Sequence, residues 1–421
     1  MATTTIKSTD LDFNAIKSNL KTFFKRQSEF KDYDFEASAM SNILDVLAYN
    51  THINGLTANF ALNESFLPSA QLRSSVVSHA ETLGYYPRSK TAAQATVTIS
   101  ATPDPLDTTT AAVTLPAYTQ FGVNIDNVTY TFQTLEDYIA TNDGTGTFKF
   151  KTSEGSTSIP IREGTLKTKT FVVGDTTDAQ IYVIPDETID TTTMTVKVFE
   201  SVTSGPAFTL YTNITSAIRI NTDSTVFIVR EAPNRYYEVT FGEGNVLGKA
   251  PVAGNKIEIS YLSTLGDEAN GGGKTQNPFT ANNQITVGST LTDLVLTTVT
   301  TSGGGSDKES IDSIKSNAPI AFATQQRLVT AEDYKALISD RYSGVVEDVI
   351  AWGGNDNIPA NYGRVYVSIN FKDGISADVQ TSTKDNIQNV LSNNLGIMSI
   401  DTEFSDPVDT FLEILTTFDF D

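Results

Sequence analysis

Apolar side chains in residues 1–90 follow the spacing of amphipathic helices. A first helix is predicted by apolar positions that recur at steps of three and four, namely Phe13, Ile16, Leu20, Phe23 and Phe24. Ser8 or Thr9 is expected to cap its N-terminus. Another helix is predicted over residues 69–83, because Pro68 precedes it and Gly84 stands where a C-terminal capping glycine belongs.

Between these two helices, a longer helix is predicted over residues 35–67, a stretch without proline. It carries two seams at heptad-like spacing. One seam holds Met40, Leu44, Leu47, Thr51, Asn54, Ala58 and Ala61, and the other holds Ile43, Val46, Asn50, Ile53, Thr57, Phe60 and Leu67. A helix with two such faces packs from both sides, and small or polar seam residues allow close approach and select register.

Two interpretations of the long helix fit this pattern equally well. It is either the centre of a bundle formed within the chain or a helix shared with another chain. For the shared helix, we expect subunit contacts at Met40, Leu44, Leu47, Asn50, Thr51, Asn54, Ala58 and Ala61.

From residue 92 the hydrophobic period changes to two. Short alternating runs predict strands at residues 95–99, 148–151, 181–184, 195–199, 226–229, 236–241 and 257–261. Polar turns separate them, and the Thr-rich stretches 107–112 and 187–193 are expected to be exposed connections. Many short strands joined by polar turns indicate a β-sandwich or a barrel-like domain.

Glycine triplets at residues 271–273 and 303–305 mark the end of the β region. A helix is expected next, with Ser306 and Glu309 as its capping box and Pro319 as its end. A further helix is expected to start at Thr330, with Asp333 at the third helical position. The remaining pattern predicts strand 345–352, strand 364–371, helix 377–395 and strand 411–418, and this ending suggests a truncated or minimal C-terminus.

Together these elements predict a multidomain α+β protein with an N-terminal helical bundle region, a central antiparallel β-rich domain and a small C-terminal α+β domain. The predicted boundaries are residues 1–90 for the helical assembly region, 91–300 for the β-rich domain, 301–344 for a helical connector and 345–421 for the C-terminal domain.

Composition narrows the function classes. The 421 residues include 29 Lys and Arg against 50 Asp and Glu, a net charge of −21 that disfavours binding to nucleic acid or anionic lipid. Cysteine is absent and only His52 and His79 could supply imidazole, so we predict no metal site and no cofactor. No apolar run approaches the length of a membrane span. We therefore expect a soluble protein made in a cytoplasm, without membrane insertion.

Catalytic motifs are also missing from the sequence. The run from Gly242 to Gly248 has the spacing G-x-G-x-x-x-G, and it leads to Pro251 and another strand instead of the helix that a dinucleotide site requires. Positive-φ turns explain its glycines better. We predict that the chain is not an enzyme and name no catalytic residue. A carboxylate-dependent hydrolase stays open, since any two of the 50 acidic residues could form a pair.

Several stretches of the sequence resemble the baseplate J-like family of contractile phage tails, and more narrowly the baseplate wedge subunits of large myophages. The first stretch comprises Phe241, Gly242, Glu243, Gly244, Gly248, Pro251, Gly254, Tyr261, Gly266 and Asn270. The others are residues 303–310 with 318–319 and 327–334, residues 47–52 with 73–80 and 83–85, and residues 116–132. Their order and spacing, more than any single motif, carry the resemblance.

The resemblance implies a structural role in the tail baseplate of the virion, after assembly in the host cytoplasm. Such subunits pair as homodimers within a wedge and join a rod-like partner through a helical bundle. Wedges close into a six-fold ring around the hub, contact sheath-initiating proteins and rearrange to trigger sheath contraction. The alternative is a receptor-binding or carbohydrate-binding tail module, because β-rich domains with Thr-rich loops are common in that class.

Overall fold

The computed structural model describes residues 12–35, 39–142, 144–174, 180–214, 220–243, 247–324, 327–342, 345–357, 359–372, 380–381, 383–384, 387–388 and 400–407. The chain divides into two compact units. The first, the helical unit, comprises residues 1–87 and 310–319, and the second, the β-rich unit, comprises residues 88–309 and 320–421. The four-domain division expected from the sequence stays a prediction.

The helical unit contains three helices of the N-terminal region, α1 (Phe13–Lys25), α2 (Met40–Glu64) and α3 (Arg73–Thr82). Asp12 caps α1, since its carboxylate accepts a hydrogen bond from the Ala15 amide at 2.7 Å, and the predicted caps Ser8 and Thr9 lie outside the described residues. Helix α3 ends as predicted. Gly84 has φ +79°, and the amides of Gly84 and Tyr85 donate to the last carbonyls of the helix, as in a Schellman motif.

The strands of the β-rich unit before residue 304 are β1 (Gln94–Ala101), β2 (Ala112–Leu115), β3 (Gln120–Ile125), β4 (Val128–Gln133), β5 (Tyr138–Thr141), β6 (Phe148–Lys149), β7 (Ile159–Glu163), β8 (Thr165–Val172), β9 (Ile181–Ile184), β10 (Ile189–Phe199), β11 (Phe208–Asn213), β12 (Val226–Glu231), β13 (Tyr237–Phe241), β14 (Lys256–Ser263), β15 (Thr280–Ala281), β16 (Ile285–Val287), β17 (Thr290–Thr292) and β18 (Leu294–Gly303).

These strands form two large sheets. The first has the order β15-β3-β4-β7-β1-β18, with β6 also paired to β1, and the second has the order β8-β14-β10-β11-β12-β13-β9. Two two-stranded sheets, β2-β5 and β16-β17, accompany them. Pairing is antiparallel, as predicted, with the exception of the parallel pair β11-β12. Each large sheet has its own hydrophobic core, which includes Phe121 and Phe132 in the first and Val196 and Ile259 in the second.

Strand β1 confirms the predicted alternation, because Ala95, Val97 and Ile99 are buried while the residues between them are only partly buried. The expectation of an exposed connection over residues 187–193 is wrong. Strand β10 already begins at Ile189, and Ile189 and Asp190 are completely buried. The Asp190 carboxylate accepts hydrogen bonds from the backbone amides of Ala92 and Thr192, so its burial is compensated.

The final part of the chain begins with α4 (Ile311–Thr324) and α5 (Ala331–Arg341), followed by β19 (Val346–Gly353), β20 (Arg364–Phe371) and β21 (Asp401–Ser405). Helix α5 has the predicted capping box between Thr330 and Asp333. Strand β21, which was not predicted, pairs in parallel with β20. Most of the predicted helix 377–395 and all of the predicted strand 411–418 lie outside the described residues.

Two expectations about α4 are wrong. Ser306 and Glu309 do not cap it, and the Oγ of Ser310 instead accepts a hydrogen bond from the Ser313 amide at 3.2 Å. Pro319 does not end the helix either, because α4 continues through it to Thr324.

Candidate assembly face on the N-terminal helices

Helix α2 buries one narrow stripe within the chain. Its buried residues are Leu44, Ala48, Asn59 and Asn63, spaced by multiples of about one helical turn. The Asn63 side-chain amide donates to the Asn59 carbonyl at 2.7 Å, which satisfies one buried polar group. Apart from Leu44, this stripe coincides with neither predicted seam.

Helix α1 contacts the N-terminal part of α2, and an aromatic cluster lies in the segment that joins the two helices. Lys17 of α1 forms an ion pair with Asp45 of α2. The rings of Phe24, Phe30, Tyr33 and Phe35 pack together, with centroids 5.6 Å apart for Phe24 and Phe30 and 5.0 Å apart for Tyr33 and Phe35. Phe35 is only 2% exposed, so this aromatic cluster is a small core of its own.

The other end of α2 is tied to α3 through Glu64. Its carboxylate accepts hydrogen bonds from the backbone amides of Gln71 at 2.8 Å and Leu72 at 3.2 Å, at the N-terminus of α3. Burial is the largest single influence and opposes ionisation, but the hydrogen bonds from Gln71, Ser75 and Leu72 and the charge of Lys315 together outweigh it, so the pKa of Glu64 lies below its usual value. His79 bonds the Glu64 carbonyl through Nε2 at 2.8 Å, which gives this histidine a structural role.

The opposite side of α2 presents large apolar side chains to solvent. The second predicted seam is exposed over its whole helical length, at Ile43, Val46, Asn50, Ile53, Thr57 and Phe60. Val46 is 68% exposed and Ile43 54%. Leu47, Tyr49 and Leu56 flank this seam and are also exposed. Contiguous exposed apolar surface is common at protein contact sites. We call Ile43, Val46, Asn50, Ile53, Thr57 and Phe60 the exposed seam.

The predicted subunit-contact residues fall into three groups of burial. Leu44 is fully buried within the chain and Met40 is partly buried. The exposed ones are Leu47, Asn50, Thr51, Asn54, Ala58 and Ala61. Of these, only Asn50 belongs to the exposed seam. The contacts predicted from the sequence therefore lie mainly on the flank of this face and not at its centre. Full exposure of the other seam was the missing signal, and it depends on tertiary structure.

Polar groups on this face are largely satisfied within the helix. The hydroxyls of Thr51 and Thr57 donate to the carbonyls of Leu47 and Ile53, at 2.8 and 2.9 Å. Their methyl groups therefore supply the outward surface. The Asn54 amide donates to the Asn50 side-chain oxygen at 3.2 Å, which leaves the Asn50 NH₂ group available as a donor.

Glycines from the sequence motifs occupy positions where backbone segments come very close. A Cβ on Gly242 would lie 2.3 Å from the Leu247 carbonyl oxygen, and one on Gly305 would lie 2.2 Å from the Gly266 carbonyl oxygen. Asn270 bonds both backbone groups of Gly305, at 2.9 and 3.0 Å. Gly248 has the expected positive φ of +72°, whereas the constraint on Gly242 and Gly305 is close approach. Residues 244–246 lie outside the described residues.

The segment after these glycines forms a clasp, defined as residues 88–91 paired with residues 306–309. Thr91 and Ser306 exchange two backbone hydrogen bonds, and the Arg88 carbonyl accepts from the Glu309 amide at 3.2 Å. The Glu309 carboxylate accepts from the Arg88 amide, and Lys90 and Asp307 form an ion pair at 2.8 Å. Ser306 and Glu309, expected to cap a helix, thus join two segments more than 200 residues apart.

One further feature anchors the clasp in the β-rich unit. Lys308 forms an ion pair with the buried Glu231 at 3.0 Å and lies over the ring of Tyr237 at 4.7 Å.

Among the described residues, no group of three His, Asp or Glu side chains could hold a metal ion. In the same part of the chain, no helix has the length and apolar character needed to cross a membrane.

Comparison with known proteins gives matches at both helical and C-terminal regions. Residues 12–85 match the family model of the helical domain of gp6-like baseplate wedge proteins. Residues 330–403 match the model of C-terminal domain I of the baseplate structural protein gp6. Neither family model describes the broader baseplate J-like family. Over 364 residues the chain is 30% identical to baseplate wedge protein gp6 of Enterobacteria phage T4, covering 80% of this chain and 51% of that protein. The chain therefore spans about half the length of this relative.

Among solved structures, a chain of the anti-feeding prophage baseplate overlaps 94% of this chain and 78% of its own length, at 12% identity and a TM-score of 0.32. A chain of the type VI secretion TssK-TssF-TssG baseplate subcomplex overlaps 88% of this chain and 96% of its own, at 8% identity and a TM-score of 0.36. At these TM-scores neither overlap establishes a shared fold. The sequence matches describe structural baseplate proteins, which suggests a non-enzymatic role. These matches support the interpretation of the chain as a gp6-like baseplate wedge protein of a contractile phage tail. They indicate the virion tail baseplate as its location.

Proposed function

We propose that this chain is a wedge subunit that pairs with a second copy of itself through the exposed seam of α2. In this proposal the pair joins a rod-like wedge partner, and wedges close into a six-fold ring around the tail hub, in contact with sheath-initiating proteins. Rearrangement of the ring then triggers sheath contraction. The similarity to a baseplate wedge protein supports this role.

The observation that carries the proposal is the exposure of α2. Its seam residues follow steps of three, four, three, four and three, the spacing at which coiled-coil helices pack against each other. Burial of one Ile, Val or Phe side chain is worth roughly 1.5–3 kcal/mol. The seam with its flanking residues Leu47, Tyr49 and Leu56 therefore holds apolar area sufficient to offset the entropy cost of association.

The seam also favours a particular geometry. Asn50 and Thr57 occupy one of the two alternating seam positions, while Val46, Ile53 and Phe60 occupy the other. A polar Asn in an otherwise apolar seam specifies register and a two-stranded state, since it bonds its counterpart across a parallel pair. We therefore propose a parallel, in-register pairing, with Thr51, Asn54, Ala58 and Ala61 along the flank. Leu44 then acts inside the chain, and Met40 lies at the start of the contact.

Absolute mass in solution tests the pairing. The full chain is measured by light scattering after size exclusion, over a concentration series, beside a variant with Val46→Glu, Ile53→Glu and Phe60→Glu. We expect a dimer for the wild type and a monomer for the variant, because three buried carboxylates on each helix would have to be desolvated in the pair.

The matched control places glutamate at exposed apolar sites of the β-rich unit, Val202→Glu and Val252→Glu. It should dimerise like the wild type, and circular dichroism should show all three proteins folded. A wild-type chain that stays monomeric up to its highest soluble concentration would contradict pairing with a second copy. Equal dimerisation of the seam variant would place the contact elsewhere.

A further inference from the structure

Four neighbouring strands of the second large sheet carry two straight rows of side chains on one face. The strands lie in the order β8-β14-β10-β11, and directly paired residues of neighbouring strands point to the same side of a sheet. One row consists of Val172, Lys256, Phe199 and Phe208. The next row consists of Thr170, Glu258, Lys197 and Leu210. Between the rows, Val198 and Ile257 belong to the hydrophobic core, so both rows face away from that core.

The apolar side chains at the two ends of these rows are exposed. Phe208 is 48% exposed, Leu210 52% and Val172 55%. The following row bears hydroxyl groups and consists of Thr168, Ser260 and Thr195. Protein interfaces combine an apolar centre with a polar rim in the same way. The name lysine–phenylalanine face is used below for Val172, Lys197, Phe199, Phe208, Leu210 and Lys256.

Both lysines of this face lie over aromatic rings. The Nζ atom of Lys256 is 3.9 Å from the centre of the Phe199 ring, and that of Lys197 is 4.9 Å from the centre of the Phe208 ring. Lys256 also lies 3.9 Å from Glu258, which is the one carboxylate in the two rows. Among the described residues, Lys197 has no carboxylate within ion-pair distance. The two rows therefore carry an excess of positive charge in a chain whose net charge is −21.

We propose that the lysine–phenylalanine face binds a linear segment of another baseplate protein, in which acidic side chains stand between apolar ones. Phe208 and Leu210 pack against the apolar side chains of the segment, and Lys197 gains a carboxylate partner. The positive charge fixes the sign of the partner's charge, because like charges brought together at an interface are unfavourable. For the same reason this face does not pair with its own copy. The inference does not depend on the pairing proposed for α2.

An array of overlapping short peptides tests the proposal, with peptides drawn from the other baseplate proteins of the phage that encodes this chain. The full chain is applied to the array, and fluorescence anisotropy then measures the affinity of each bound peptide. We expect bound peptides in which Asp or Glu stands between apolar residues, with an affinity that falls as salt is raised. An array without any bound peptide, or one that selects basic peptides, would overturn the proposal.

Two variants locate the contact. Phe208→Ser with Leu210→Ser removes the exposed apolar side chains, and Lys197→Gln removes the charge without a carboxylate partner. Each should weaken peptide binding by about tenfold or more, because an interface loses an apolar anchor in the first and a charge pair in the second.

The matched controls alter exposed residues of the same sheet outside this face. Ile181→Ser with Val183→Ser changes β9 at the far edge of the sheet. Lys169→Gln changes a lysine of β8 that is paired with the core residue Ile259 and so points to the opposite side. Both controls should bind the peptides like the wild type, and circular dichroism should show all variants folded. Peptide binding that survives both face variants would rule out this face as the site.

Discussion

At the scale of single residues, backbone crowding explains glycines that the sequence analysis placed in a turn, such as Gly242, or at the end of the β region, such as Gly305. Gly305 lies against the Gly266 carbonyl while Asn270 bonds both of its backbone groups. The sequence shows that glycine is needed in such motifs. It does not show whether glycine is needed for a positive φ or because a Cβ would not fit, since the crowding atoms come from a distant segment.

Gly305→Ala should therefore destabilise the β-rich unit by roughly 1–3 kcal/mol, the usual range for overpacking a tight site. Chemical denaturation of the full chain measures this free energy of unfolding. Gly205→Ala is the matched control, since a Cβ there meets nothing within 4 Å. Equal stability of the two variants would show that the contact at Gly305 relaxes easily.

Glu163 makes the β-rich unit sensitive to pH. It is 3% exposed and accepts hydrogen bonds from the Thr264 hydroxyl at 2.5 Å and the Leu265 amide at 3.2 Å. Burial dominates and raises the pKa of Glu163 above its ordinary value of 4.5. In the window between the ordinary and the raised pKa, the folded state binds more protons than the unfolded state, so this residue's contribution to stability falls as pH rises.

Glu163→Gln should remove that dependence while keeping an acceptor for Thr264 and Leu265. Thermal unfolding at several pH values from 4 upward, written as the difference between wild type and variant, should favour the variant increasingly as pH rises. Glu154→Gln, at an exposed turn, serves as the control. A constant difference across this range would mean that Glu163 ionises in the folded protein as readily as in the unfolded chain.

At the scale of elements, α2 shows how far periodicity reaches. The sequence predicted a long helix with two apolar seams, and the structure contains the helix over Met40–Glu64. Which side faces the rest of the chain was not predictable, because both seams satisfy the same spacing. The burial of Ala48 and Asn59 depends on which segments pack against α2, and contacts such as those of Lys17 with Asp45 and of Glu64 with Gln71 help to decide that packing.

Asn50→Leu tests the geometry proposed for the seam. Removal of the polar group should strengthen association while loosening its register, since an all-apolar seam tolerates other strand numbers and orientations. Sedimentation velocity should show species larger than the dimer, at concentrations where the wild type gives one dimeric boundary. Asn54→Leu, on the flank, should keep the dimer. A purely dimeric Asn50→Leu chain would argue against Asn50 at the centre of the contact.

At the scale of the whole molecule, the clasp decides where the chain can be cut. The expected boundary after residue 90 falls inside it, whereas the β-rich unit begins at Arg88. A chain starting at residue 88 should therefore keep a folded β-rich unit. A chain starting at residue 92 lacks the partners of Ser306 and Asp307 and should unfold at a lower temperature.

Near-ultraviolet circular dichroism during heating measures the unfolding temperatures of the two truncated chains. Because both chains lack α2, neither should dimerise through the exposed seam. Equal unfolding temperatures would mean that the clasp contributes nothing measurable to the stability of the β-rich unit. Loss of structure in the longer chain would instead show that residues 1–87 are needed for folding of that unit.

The sequence alone determined what is local or compositional. Helical and strand periods, the capping box at Thr330, the cap at Gly84 and the acidic charge follow from neighbouring residues or simple counts. Only the tertiary structure decided which face of α2 stays exposed, that Pro319 lies inside a helix, and that Arg88 meets Glu309 across 221 positions. Periodicity is a short-range property, whereas burial and pairing depend on which distant segments reach the same place.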